Sequence, residues 1–400
     1  MNTDEVIAQF DQYVVANYGR LADVIVKGEG STITDDNDKT YIDMFPGWGV
    51  SGIGHCHPKV VAAIKAQAET LIHIDNTFYN KPQGHFAQLL SERAFGGKLF
   101  FSNSGAESIE GAIKLARLAT DSKKYKIITC QGGFHGRTLG AITATAQPKY
   151  HAGFMPLLPG FTYIPFNDVE ALKAAFDDET CGVLVEPIQG EGGINLANIE
   201  FLQTIRDLCD ANNAVAIWDE VQCGMGRTGK WFGYQHYGIE PDIMTMAKSL
   251  GGGVAIGAMM CKAHVANYLK PGTHASTFGG NPLACAAGIA VIEAIEEENL
   301  LENSISLGQY LTDKLNALKE KHCVIEQIRG KGVMIAVQLN NPGGQVVSTC
   351  WENGLRINCT QDSVLRIMPA MNCTEALIDS AIKILDNALT VCFSEVENNV

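Results

Sequence analysis

The chain has 400 residues, 46% of them hydrophobic and 18% charged, which suits one large α/β domain with a smaller companion and excludes a disordered chain. A formal net charge of −14 argues against nonspecific binding to nucleic acid or to an anionic membrane surface, since both repel an acidic protein. Twelve cysteines with no C-x-x-C pair disfavour a zinc ribbon or a thioredoxin-like motif and fit a reduced, cytoplasmic setting.

Residues 1–10 carry acids rather than a basic leader and no run approaches the length of a membrane span, so neither a signal peptide nor a transmembrane segment is expected. Strand-like pieces at 23–27 and 39–44 flank the turn Asp35-Asp-Asn-Asp38. His55-Cys56-His57 is the one cluster that suggests a metal, but adjacent side chains diverge and no second ligand set follows. A turn into Pro58, without metal, is the expectation. From about 58 to 297 strands and helices alternate: strands at 99–102, 125–129, 162–166, 182–186, 214–218, 241–247 and 255–260, helices at 108–120, 200–212 and 282–298. This order predicts a mostly parallel sheet covered on both faces, with ligands at the C-terminal ends of its strands. Helices at 304–321, at 344–353 and from 374, with a strand at 333–338, predict a smaller α+β domain. The expected divisions are 1–57, 58–300 and 301–400.

Two of these strands end in reactive groups. The run 214–218 stops at Asp219 and the run 241–247 at Lys248, before Gly251-Gly252-Gly253, where bulky side chains would block a ligand. Pyridoxal 5'-phosphate demands such a pair: a carboxylate to keep its pyridinium nitrogen protonated and an amine to condense with its aldehyde. Gln222 is then placed to donate to the ring oxygen O3' and Val221 to pack on one ring face. Taken singly, Asp219 reads as a helix cap and Lys248 as a solvated surface charge. Gly224-Met-Gly-Arg-Thr-Gly229-Lys230 imitates both a dinucleotide fingerprint and a P-loop. Neither fits, because Trp231 replaces the hydroxyl a P-loop needs and residues 231–234 read as irregular where a dinucleotide loop opens a helix. Ser102-Asn-Ser104-Gly105-Ala106-Glu107 leaves a strand and opens a helix whose free amides can face an anion, although Ser104 with Glu107 is also a plain capping box.

Asp219-Glu-Val-Gln222, Gly224-Met-Gly-Arg-Thr-Gly229 and Ala247-Lys248 together resemble the signature of the class III pyridoxal-phosphate aminotransferases, and the resemblance runs from about Gly28 to about Pro369. It implies a fold type I PLP-dependent transferase: α/β, a large domain with a mostly parallel central sheet plus a smaller α+β domain from both chain ends. It implies that Lys248 bonds the cofactor and then acts as general acid and base, while Asp219 keeps the ring nitrogen protonated. By the same resemblance Ser104, Gly105 and Ala106 cradle the phosphate, Phe134 of Gly132-Gly-Phe-His-Gly-Arg-Thr138 stacks on the ring, and Glu186 stands near the cofactor. Thr277 would reach the phosphate of the partner subunit, which makes a homodimer with shared sites. Arg137 and Arg366, the latter paired with Glu191, would meet substrate carboxylates, with Trp48 and Tyr18 lining the pocket. The chain departs from the family at Ser108-Ile109, where relatives carry Ala-Asn, and at Trp48, where many carry a small aliphatic residue.

The branch implied is the one acting on N-acetylornithine and 2-oxoglutarate in arginine biosynthesis; succinylated ornithine, diaminopimelate derivatives, ornithine and 4-aminobutyrate remain open as donors. A mutase or racemase on the same scaffold is disfavoured by the Arg366–Glu191 pair, which suits glutamate recognition. A cofactor-binding protein without turnover is disfavoured by the presence of Lys248 and Asp219.

Overall fold

The computed structural model describes residues 1–120 and 123–397. A seven-stranded sheet forms its centre, in the order Lys98–Ser102, Gly257–Cys261, Ile243–Met246, Val215–Asp219, Thr180–Val185, Lys126–Cys130 and Phe161–Ile164. Only Gly257–Cys261 runs against its neighbours; the other strands are parallel, as expected. The middle strands Val215–Asp219, Ile243–Met246 and Thr180–Val185 are buried at every position because both faces are covered. Val215 and Ile217 pack with Ile109, Ile113 and Ala116 of the helix Gly105–Ala119, whereas Ala216 and Trp218 pack with Phe201, Ile205 and Ile292 of the helices Ile199–Ala211 and Pro282–Glu297. Trp218 is fully buried and its indole N–H donates to the Ile239 carbonyl at 3.0 Å. Each large side chain buried in this way stabilises the fold by roughly 1.5–3 kcal/mol.

Both chain ends contribute to one smaller sheet. Ile25–Glu29, Thr32–Asp35 and Thr40–Asp43 form an antiparallel meander, and Leu355–Arg356 joins it parallel to Thr40–Asp43. A second small sheet runs Ile325–Lys331, Met334–Leu339, Val364–Ile367, Asn358–Thr360, antiparallel throughout, and the helix Leu300–Lys321 packs on its first strand.

Several elements differ from the expectation. Thr32–Asp35 is a strand that the sequence reading passes over: three of its four residues are polar and it runs straight into the turn. Asp35 holds that turn, accepting from the amides of Asn37 and Lys39 and from the Tyr41 hydroxyl, each at 2.9 Å. The helix Thr3–Tyr13 is also unforeseen. It buries no residue and so lacks a sequence-visible core stripe, while the acids that argue against a leader close its reciprocal Asn2–Glu5 cap. His55 and His57 diverge, with Nε2 of each 2.8 Å from Asp43 and Glu298 respectively. Among the described residues no cluster of three metal-ligating side chains occurs, and no helix is long and apolar enough to cross a membrane.

Candidate active site

The C-terminal ends of the parallel strands open on one cavity of about 400 Å³. Ser104, Gly105, Ala106, Phe134, Glu186, Asp219, Val221, Gln222 and Lys248 all line it, brought there from five different strand ends. Such convergence follows from the topology, because parallel strands deliver their C-terminal residues to one edge of the sheet.

Asp219 is the last residue of its strand and is buried. One carboxylate oxygen accepts from the Val221 amide at 3.0 Å and the Thr245 hydroxyl at 3.1 Å; the other lies 2.7 Å from Nδ1 of His135. Burial opposes charge on His135, yet the hydrogen bond and charge of Asp219, helped by Glu186, raise its pKa above the usual 6.5. The cavity floor is therefore a hydrogen-bonded imidazole–carboxylate pair. Glu186 follows the strand Thr180–Val185, and its two oxygens accept from the amides of Gly190 and Phe134, each at 3.0 Å. Desolvation pushes its carboxyl up to about 7, opposed by His135 and the two amides and assisted by Asp219.

Lys248 comes two residues after the strand Ile243–Met246, where the sequence reading runs the strand directly into it. Its φ of +46° is left-handed, a conformation uncommon outside glycine that re-aims the side chain into the cavity. Desolvation lowers the pKa of its amine, against the charges of Glu191, Glu186 and Asp219. The uncharged amine is the nucleophilic and basic form.

At the far end Ser104 caps the helix Gly105–Ala119 by accepting from the Glu107 amide at 3.2 Å. Glu107 bonds back to the Asn103 amide at 2.7 Å rather than to Ser104, so the expected box is shifted by one residue. The amides of Gly105 and Ala106 stay at the cavity wall, at the positive end of the helix dipole. Ser108, one of the two departures from the family pattern, is buried and bonded to the Ser102 hydroxyl at 2.9 Å and the carbonyls of Ser104 and Met246 at 3.0 and 3.3 Å. It ties this helix to the strand before Lys248. A side chain at Gly257 would place Cβ 2.3 Å from the Ser104 carbonyl, so glycine alone permits this approach. The set fits pyridoxal phosphate: an anion-binding helix start, a buried acid, a desolvated amine, and at Gln222 an amide whose Oε1 has no partner while its Nε2 meets the Trp48 carbonyl at 3.4 Å.

The remaining sequence candidates do not line this cavity. Arg366 and Glu191 form an ion pair beside it, 2.7 Å apart. Arg137 is exposed and stacks over Tyr150 and Phe134, with centroid distances of 4.1 and 5.5 Å. Tyr18 and Trp48 are exposed with ring centroids 6.3 Å apart, and Trp48 has a left-handed φ of +58°. Thr277 lies with Ser276, His274 and Glu107 on a separate depression.

Sequence reasoning quotes His135 and Arg227 without giving either a role. The signal for His135 was its place in a glycine-rich loop after a strand. Arg227, inside the loop that imitates nucleotide motifs, is a buried guanidinium that bonds the carbonyls of Pro369, Met368 (3.3 Å) and Gly49 (3.5 Å). Burial lowers its pKa to about 10. It bolts both chain ends to the large domain beside Ser249, whose hydroxyl also reaches Gly49, at 2.8 Å.

A family model for class-III aminotransferases matches residues 13–389. The chain is 51% identical over 384 residues to the acetylornithine aminotransferase of Caldanaerobacter subterraneus subsp. tengcongensis, covering 95% of this chain and 98% of that one. It is 49% identical over 383 residues to the acetylornithine aminotransferase of Methanocaldococcus jannaschii, covering 95% and 96%. Among solved structures, the ornithine aminotransferase of Toxoplasma gondii ME49 superposes with a TM-score of 0.93 at 34% identity, over 99% of this chain and 96% of that one. With strand ends that converge on a fitting cavity and relatives that align from end to end, this chain belongs to the class-III aminotransferases, pyridoxal-phosphate-dependent enzymes of fold type I.

Proposed function

We propose that this enzyme moves the δ-amino group of N-acetylornithine to 2-oxoglutarate, a step of arginine biosynthesis, and that it works in the cytoplasm as a homodimer whose Thr277 side chains serve the partner's phosphate site. The choice of donor is supported by the names of the relatives at 51% and 49% identity. The observation that carries the reading is the ion pair at the cavity edge. Arg366 is buried, grips both oxygens of Glu191 at 2.7 and 3.1 Å, and gives its Nε–H to Asn358 at 2.8 Å. Burial pushes the Glu191 pKa up, but the charge and hydrogen bonds of Arg366 outweigh it and hold its carboxyl below the usual range. The pair is thus a gate: the α-carboxylate of glutamate can take the place of Glu191, and a donor with one distant carboxylate leaves the gate closed and Arg366 neutralised. Arg137, for which no ion pair occurs among the described residues, is free to take the carboxylate at the other end of either substrate.

Pyridoxal phosphate supplies, when bound, an electron sink for the carbanion left when the amine-bearing carbon loses its proton. The chain does the rest. The amides of Gly105 and Ala106 and the Ser104 hydroxyl would hold the phosphate, Phe134 and Val221 would cover the ring, and Gln222 would meet its oxygen. Asp219, braced by His135, would hold a proton on the ring nitrogen. Lys248 Nζ takes the proton from the substrate carbon and gives it back. Residues 1–57 and 301–400 would act together as the small domain beside 58–300.

One finding favours a second donor: the close superposition on an ornithine aminotransferase. A panel of N-acetylornithine, N-succinylornithine, ornithine and 4-aminobutyrate with 2-oxoglutarate, followed by glutamate formation, separates the two. The reading expects the highest kcat/KM for N-acetylornithine, and a preference for free ornithine or 4-aminobutyrate would overturn it.

A further inference from the structure

The loop under the gate carries three glycines around one acid, Gly190-Glu191-Gly192-Gly193. Close approaches require them: a Cβ at Gly190 would fall 1.4 Å from Gln222 Oε1, one at Gly192 2.6 Å from the Gly132 carbonyl, and Gly193 has a φ of +108°. Such a segment is intrinsically flexible. Yet every carbonyl in it is held. Gly190 accepts from the Gly193 amide at 3.3 Å, and Gly192 from Asn195 Nδ2 at 2.9 Å. Glu191 accepts from the Thr360 hydroxyl at 2.8 Å and Gln361 Nε2 at 2.9 Å. Gly193 accepts twice from one guanidinium, Arg329 Nε at 3.0 Å and Nη2 at 2.6 Å.

The donors to Glu191 and Gly193 come from the sheet that carries Arg366. In its ladder Arg329 pairs with Ala336, Ala336 with Arg366, and Arg366 with Asn358. Directly opposed residues share a sheet face, so the two arginines stand in one row with the small Ala336 between them. One grips the Glu191 carboxylate and the other the backbone two residues on.

We propose that Arg329, with Thr360 and Gln361, is a positioning residue for the gate: it clamps the Glu191 backbone to the Arg366 sheet, so that the gate opens by rotation of the Glu191 side chain alone and recloses in one register. The inference rests on the gate reading above. A glutamate carboxylate displaces Glu191 and has no use for reclosure. The monocarboxylate donor needs Arg366 covered, so loss of the clamp penalises that half-reaction alone.

Single-turnover half-reactions of the holoenzyme with N-acetylornithine and with glutamate test this in Arg329→Met, Arg329→Lys, Thr360→Val and Glu191→Gln. Arg329→Met is expected to raise half-saturation for N-acetylornithine about tenfold relative to that for glutamate, the worth of a charge-assisted hydrogen bond. Arg329→Lys should recover part of the loss and Thr360→Val show a smaller split of the same direction. Equal losses in both half-reactions, or none, would reduce Arg329 to a structural role. Should Arg329→Met fail to fold, the near-isosteric Thr360→Val decides: a split supports the clamp and its absence overturns it. Glu191→Gln separates the two ideas. A split there without one in the clamp variants sinks the clamp alone, and no split in Glu191→Gln removes the gate and the clamp with it.

Discussion

The floor and the rim of the cavity are built on opposite terms. At the floor Asp219 has an amide, a hydroxyl and an imidazole on its two oxygens, all within 3.1 Å, and Glu186 has two amides. At the rim Trp48 is 52% exposed, Tyr18 leans on it, and Arg137 rests on an aromatic ring. Floor groups sit on strand ends, where the sheet fixes the backbone and fixed dipoles need no reorganisation during the reaction. Rim groups sit on turns, which tolerate substitution and adapt to different ligands. Under the proposed function, chemistry shared by all donors would belong to the first region and the choice of donor to the second.

Four results would break or sharpen this contrast. Lys248→Ala should eliminate glutamate formation while the other floor contacts still hold the cofactor, measured by activity and by cofactor titration; residual turnover near wild type would break it at once. Asp219→Asn should lower kcat by about ten- to a hundredfold, the loss of a charged contact worth ~1.5–3 kcal/mol, and change cofactor affinity less. A kcat left at the wild-type value would move Asp219 out of the machinery.

The third result concerns pH. His135 has a folded-state pKa above its unfolded value of 6.5, so protonation stabilises the fold fully below 6.5 and that stabilisation disappears as pH rises through the folded value. Glu186, raised from 4.5 to about 7, acts with the same sign at lower pH. The melting temperature of cofactor-free protein should therefore fall as pH rises above 6.5, and His135→Asn should flatten that slope; an unchanged slope would show that the floor pair does not titrate with folding. The smallest effect is expected at the rim. Trp48→Asn, which tolerates the left-handed backbone at this position, should alter stability by about 0.5 kcal/mol, as surface changes do, and reorder KM among donors with little change in kcat. A loss in kcat as large as that of Asp219→Asn would erase the distinction.

The same contrast governs what the sequence discloses. Asp219 and Glu186 are legible because each ends a continuous apolar run, Lys248 because it follows a strand-like run broken only by Asp242 and Thr245, and Ser104 because it opens a helix after a strand. His135 reaches Asp219 across 84 positions, and Thr245 across 26, so only the folded sheet reveals that they share an oxygen pair. Arg227 and Arg329 bond backbone carbonyls, and a carbonyl leaves no mark in residue type. The helix Thr3–Tyr13 buries nothing, and the mostly polar strand Thr32–Asp35 is too short for its alternation to stand out.

The central claim is that the floor, and Lys248 within it, does the chemistry. Borohydride reduction of the cofactor-loaded enzyme followed by peptide mapping tests it most directly. The account predicts a single cofactor-labelled peptide containing Lys248, and a label on any other lysine, with Lys248 unmodified, would contradict it.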